Sequence, residues 1–151
     1  MTANGAQLIG MSQQYKDSAN AARELSNKIG DQELTFTGHS KGGGQAALNS
    51  MVATKMNKKM REKRSAITFN AANVTGYTKF ANKALFSKAK IDAYMLATDP
   101  ISILQLFLTN GKKHILKPTS KRSIINGHSM DNMSDEMDKR ASLQGGTPAS
   151  Q

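Results

Sequence analysis

Leu34-Thr35-Phe36-Thr37-Gly38-His39-Ser40-Lys41-Gly42-Gly43-Gly44-Gln45-Ala46-Ala47-Leu48 is the stretch on which the reading of this 151-residue chain turns. Its first residues are β-branched and aromatic, as a buried strand requires, and its last are good helix formers. Between them stands Gly38-x-Ser40-x-Gly42, the pattern of a nucleophile elbow. A serine on a sharp strand-to-helix turn occupies a strained backbone conformation, and glycines at both flanks remove the collisions that side chains would make across it. The five-residue pattern recurs by chance. The strand before it and the helix after it give it weight against the plainer reading, a glycine-rich loop that opens a helix and does no chemistry.

The chain is long enough for one domain with a genuine core. It has no Cys, which excludes disulfides, thiolate zinc sites and a cysteine nucleophile. No cofactor and no metal are expected. Lys and Arg outnumber Asp and Glu by 21 to 11, a formal charge of +10, so anionic surfaces are the expected partners: a phospholipid bilayer or an acidic protein. Nucleic acid is not expected, because the chain has no Trp, few aromatics and no nucleic-acid fold signature. No apolar run approaches the ~20 residues of a membrane span, and the first residues lack the basic and apolar regions of a signal peptide. A soluble chain is expected, its location undetermined. If it leaves the cell, a longer polypeptide or a dedicated machine carries it.

Outward from the elbow, Leu8, Met11, Tyr15, Ala22, Leu25 and Ile29 form the apolar face of an upstream helix, with Gly30 as its left-handed cap and a strand over residues 33–37. Downstream, Leu48, Met51, Val52, Met56 and Met60 line one face of the elbow helix. Lys55, Lys58, Lys59, Arg61, Lys63 and Arg64 crowd its far end, either as a solvated face or as a patch for a membrane or partner. A second strand is expected over 65–70, a small-residue turn over 71–76, a helix over 77–86 and a third strand over 91–96 that ends at Ala97-Thr98-Asp99-Pro100. Residues 101–108 are the most apolar run, compatible with a buried helix, the wall of an acyl-chain pocket or a lid. A turn at Asn110-Gly111, a strand over 112–116, a polar loop to Gly127-His128, a helix carrying Met130, Met133 and Met137, and a flexible tail over 144–151 complete the chain. This alternation argues for an α/β fold, a parallel sheet covered by helices.

A serine hydroxyl needs a base beside it and a third group to orient that base. In the hydrolytic version of this layout the chain order is Ser, Asp or Glu, then His. Asp99 lies just past the third strand, on the edge where the elbow opens, and is the expected acid; its alternative is an Asp-Pro turn former. Asp92 falls at the start of that strand, hence on the opposite edge, and Asp131 in the first turn of a helix. Of the three histidines, His39 points away from the elbow by alternation and is expected packed beneath the serine. His114 sits in a strand among lysines, where a solvent-facing role is the ordinary expectation. His128, in a glycine-containing loop after the last strand, is the expected general base. The backbone N–H of Lys41 supplies one oxyanion donor. The second normally comes from a loop after an earlier strand, and none is evident. Either the surroundings of Leu8 hide one, or the sheet lacks its first strands, and then residues 1–143 are expected to be the C-terminal part of a larger domain.

With these residues in place, residues 34–48 resemble the elbow of the class 3 lipases among the α/β-hydrolases, with bacterial lipase-like and phospholipase-like members the most similar. There a long helix precedes the elbow strand, and a strand ending in small residues follows the next helix, as in Ile67-Thr68-Phe69-Asn70-Ala71-Ala72. Residues 94–105, with Asp99, and Gly127-His128-Ser129-Met130-Asp131 are similar to the later acid and histidine segments of bacterial phospholipase domains, some of them antibacterial effectors. Position 41, commonly Leu in that group, is Lys here. The resemblance implies an α/β-hydrolase-like parallel sheet with helices on both faces and a serine ester hydrolase acting on acyl esters of membrane lipids. Ser40, Asp99 and His128 would be catalytic and the Lys41 amide an oxyanion donor. An acidic inhibitor or immunity protein would be a further partner. The alternative is a non-catalytic hydrolase-like fragment that binds an acidic protein through its basic face.

Overall fold

In a computed structural model of the chain, residues 3–56, 58–72, 90–99, 111–119 and 127–143 are described. Four short segments form one sheet: β1 (Leu34–His39), β2 (Arg64–Phe69), β3 (Lys90–Leu96) and β4 (Lys112–Leu116). They lie side by side in chain order, and every neighbouring pair is parallel. Parallel strands of one sheet all end on the same edge. Ser40, Asn70, Ala97 and Lys117 therefore leave the sheet together, and the chemistry-bearing residues collect there.

Alternation along the strands divides the core in two. Phe36, Ala66 and Ile91 face α1 (Ala3–Ile29) and α2 (Ser40–Met56), packing with Tyr15, Ala19, Ala22, Leu48, Met51 and Val52. On the other side Phe69, Tyr94, Leu96 and Leu116 meet Met133 and Met137 of α3 (Met130–Leu143). This is the expected α/β architecture, a parallel sheet with helices on both faces. The buried stripe of α1 runs through Tyr15, Ala19, Ala22 and Ser26 at spacings of four, three and four, while Leu25, expected in that stripe, is exposed. α3 is tied to the chain after β4 by Glu136, whose fully buried carboxylate accepts hydrogen bonds from the Thr119 amide and hydroxyl, both at 2.8 Å.

α1 ends at Gly30, whose φ of 60° is the expected left-handed cap. The carbonyls just past its end are taken by Arg64. This residue belongs by sequence to a solvated charge run, yet it opens β2 and is completely buried. Its Nε donates to Ser26 Oγ at 3.0 Å and its two Nη groups to the carbonyls of Gly30 and Gln32, both at 2.5 Å. A guanidinium, with its planar fork of donors, suits the negative end of a helix dipole. The elbow helix likewise stops earlier than its methionine spacing indicates. α2 ends at Met56, and residues Lys58–Lys63, Met60 among them, wind as a 3-10 helix. The chain must turn there to deliver Arg64 beneath the end of α1, and the tighter helix is the usual connector.

The expected helix over 77–86, the apolar run 101–108, the turn residue 110 and the tail 144–151 lie outside the described residues. Among the described residues no helix is long and apolar enough to cross a membrane.

Candidate active site

β1 delivers the chain into Ser40, the first residue of α2, at a φ of 51°. A non-glycine residue in this left-handed region stores on the order of 1–3 kcal/mol of strain and persists only where its surroundings hold it. Here the amide of Ala72, beyond the end of β2, donates to the Ser40 carbonyl at 2.7 Å. The glycines divide the work differently from what the motif implies. A Cβ on Gly38 would stand 2.3 Å from the Gly42 carbonyl oxygen, and one on Gly43 2.8 Å from the Ala71 Cβ, while one on Gly42 would meet nothing within 4 Å. The close approaches that need glycine are thus at Gly38 and Gly43; Gly42 contributes its backbone.

The three residues singled out from chain order come together. Ser40 Oγ lies 2.7 Å from His128 Nε2, and His128 Nδ1 lies 2.9 Å from Asp99 Oδ2. Asp99 is fully buried, whereas the imidazole of His128 keeps about a third of its surface, 32%, open to solvent. The acid is placed by the turn that ends β3: Asp99 N donates to Leu96 O at 3.0 Å, and Ala97 N to Leu116 O at 2.9 Å. A carboxylate only accepts, so the Nδ1 proton of His128 points at Asp99 and Nε2 is left with a lone pair toward the serine hydroxyl. Such a relay can take the proton of Ser40 as its oxygen attacks an electrophile and return it to a leaving group. The Lys41 amide, in the first turn of α2, lies at the positive end of the helix dipole, where negative charge is favoured.

α1 braces this first turn. Tyr15 donates its hydroxyl to the Lys41 carbonyl at 3.3 Å, and the Lys41 ammonium donates to Gln14 Oε1. Burial raises the Tyr15 phenol above its ordinary pKa of 10.0.

Two further residues enter the site. His39 is tied to the loop of the base: its Nε2 lies 2.8 Å from the His128 carbonyl oxygen, and the two rings are 5.3 Å apart. Asn70, fully buried and with a φ of 42°, donates from Nδ2 to the Gly127 carbonyl at 2.7 Å and accepts at Oδ1 from the Leu96 amide at 2.9 Å. Sequence reasoning passes over Asn70. The available signal is an Asn at the very end of a buried strand, since Asn is among the few residues that tolerate the left-handed conformation.

The remaining candidates stand apart from the relay. His114, expected to face solvent, is half-buried: its Nε2 lies 2.8 Å from Asp92 Oδ1, and its ring stacks on Tyr94 with centroids 4.4 Å apart. The stacking surface follows from the register, which sets Tyr94 directly opposite His114. Asp92 lies near the start of β3, and Asp131 in the first turn of α3. Among the described residues no cluster of His, Asp or Glu is arranged to hold a metal ion.

Almost the whole chain, residues 2–149, matches the model of a phospholipase-like family, described as the Tle-like phospholipase domain. No curated protein matches the chain.

Proposed function

The chain belongs to the Tle-like phospholipase domain family, and from that premise we propose that it is a serine ester hydrolase that cleaves an acyl ester of a membrane phospholipid through an acyl-enzyme on Ser40. The phospholipase-like match makes it a lipid hydrolase by family; the serine mechanism is the finer reading. One observation carries it: the 2.7 Å contact between Ser40 Oγ and His128 Nε2, with His128 held on Asp99 by its other nitrogen.

Ser40 Oγ attacks the ester carbonyl carbon while His128 Nε2 takes its proton, giving a tetrahedral intermediate and an imidazolium stabilised by Asp99. The oxyanion forms at the start of α2, and the Lys41 N–H donates to it. Collapse breaks the ester C–O bond, the proton passes from His128 to the departing alcohol, and the acyl group stays on Ser40. Water, deprotonated by the same imidazole, then attacks the acyl carbon, releases the fatty acid and restores the serine. The net charge of +10 draws the chain toward an anionic bilayer, and the same charge suits an acidic protein as inhibitor. In an antibacterial effector such an inhibitor would be the immunity protein.

The decisive comparison is between the parent chain and Ser40→Ala on phospholipid vesicles and a short-chain ester, with mass analysis after a fluorophosphonate probe. Hydrolysis lost in Ser40→Ala together with an adduct on Ser40 is the expected result. Parent-rate hydrolysis by Ser40→Ala overturns the mechanism. A chain that takes no adduct, turns over nothing and binds an acidic protein in a salt-sensitive way is a scaffold and not an enzyme.

A further inference from the structure

We infer that His39 and Asn70 are positioning residues that together grip the backbone of the base. Side-chain N–H groups from the ends of two neighbouring strands hold the consecutive carbonyls of Gly127 and His128. The inference rests on the reading of His128 as general base.

A carbonyl oxygen only accepts, so each contact assigns a proton. His39 presents an Nε2–H to His128 O at 2.8 Å, and Asn70 presents its amide Nδ2 to Gly127 O at 2.7 Å. The orientation of the Asn70 amide is fixed twice over, because its Oδ1 accepts the Leu96 N–H at 2.9 Å. Its backbone N–H also donates to Tyr94 O at 2.9 Å. One fully buried side chain therefore refers the histidine loop to the end of β3, the strand that leads into Asp99. His39 refers the same loop to β1, since it is the residue before Ser40. The base is thereby registered against its nucleophile and its acid through the backbone, independently of the two hydrogen bonds its ring makes.

That registration matters because His128 sits on a turn and its ring is partly open to water. A displacement of about 1 Å in a catalytic group can cost on the order of 10²-fold in rate. The left-handed backbone at Asn70 has the same logic. It lets the side chain turn back across the strand ends, and Asn and Asp adopt it at low cost while other side chains do not.

The experiment uses the full chain with His39→Phe, which keeps a ring and loses the donor; His39→Gln, which restores an amide donor; and Asn70→Asp, which keeps the acceptor for Leu96 and sets an oxygen against the Gly127 carbonyl. Ser40→Ala and His128→Ala are the references. Two quantities are read: kcat and KM on a short-chain ester, and the nuclear magnetic resonance signal of the His128 Nδ1–H. His39→Phe and Asn70→Asp are expected to lower kcat by about 10- to 100-fold with KM near the parent value and to broaden or erase the Nδ1–H signal, while His39→Gln recovers most of both. Parent kcat in His39→Phe and Asn70→Asp, with Ser40→Ala and His128→Ala inactive, overturns the grip and leaves the serine mechanism standing. An active Ser40→Ala protein overturns the serine mechanism instead. The Nδ1–H signal then decides the grip alone, and an unchanged signal in His39→Phe overturns it. Should Asn70→Asp fail to fold, the His39→Phe and His39→Gln pair decides the grip by the same two readouts.

Discussion

Gly38 and Gly42 meet backbone to backbone: a Cβ on Gly38 would lie 2.3 Å from the Gly42 carbonyl oxygen, although a Cβ on Gly42 has open space around it. The two glycines of one motif should therefore respond oppositely to alanine. Gly42→Ala is expected to raise stability by about 0.5–1 kcal/mol through helix propensity. Gly38→Ala must push the strand end off the helix and is expected to unfold the chain or lower its melting temperature by many degrees. Thermal denaturation of the two variants checks this, and equal effects would contradict it.

Asp99→Asn keeps the shape of a fully buried side chain and offers His128 a group that can donate as well as accept, so the imidazole loses its enforced tautomer. A fall in kcat of about 10³- to 10⁴-fold is expected, as when the orienting acid of a serine triad is removed, with KM little changed. Steady-state kinetics on a soluble ester measure it; a fall of less than tenfold would mean that Asp99 does not orient the base.

Arg64→Met fills similar volume and strips the donors from the Ser26 hydroxyl and the carbonyls of Gly30 and Gln32. The buried Ser26 hydroxyl is left without its donor, while the carbonyls of the exposed Gly30 and Gln32 can turn to water, so a cost of about 1–3 kcal/mol is expected by chemical denaturation. Arg64→Lys should recover only part of the loss, since an ammonium cannot span all three acceptors with a planar fork.

Tyr15 gives a test in alkali. Burial raises its phenol in the folded chain, so above the ordinary value of 10.0 the unfolded chain releases a proton that the folded chain retains. The unfolded state then binds fewer protons and stability falls as pH rises. The contribution is fully present below pH 10.0 and is lost upward from there through the folded value. Tyr15→Phe removes this component: its stability should decline less steeply with pH above 10.0 than that of the parent, even though it lacks the hydrogen bond to Lys41 O at neutral pH. Parallel stability curves would count against it.

The parallel sheet was legible in the sequence because short strand-like segments alternate with helix-like ones along the chain, and β4 lies at the residues where a strand is expected. Chain order pointed to Ser40, Asp99 and His128, and His128 lies within hydrogen-bonding distance of the other two, since in a parallel sheet position past a strand end is position in space. Contacts that depend on where a side chain turns at a strand end were less legible. Alternation places His39 under the serine and does not reveal that its ring reaches the His128 carbonyl. Arg64 looks like one more surface cation in a run of cations, because its burial depends on carbonyls that follow a helix ending 35 positions earlier, at Ile29. Asn70 is polar at the end of an apolar strand, and only its backbone angle explains why it is there.

α2 begins at Ser40, and its 17 residues carry the chain about 25 Å from the elbow before the cationic turn Lys58–Lys63. Because the strands are parallel, the exposed Lys90 and Lys112 that open β3 and β4 lie at that same far pole. Among the described residues, Ser40 thus stands at one pole and the basic segment Lys58–Lys63, with Lys90 and Lys112, at the other. An acidic protein seated on the cationic pole would hold the enzyme without covering Ser40. A partner that also covered Ser40 would have to reach the opposite end, so charge reversal at the far pole is expected to weaken binding of an acidic protein there while leaving the surroundings of Ser40 unchanged.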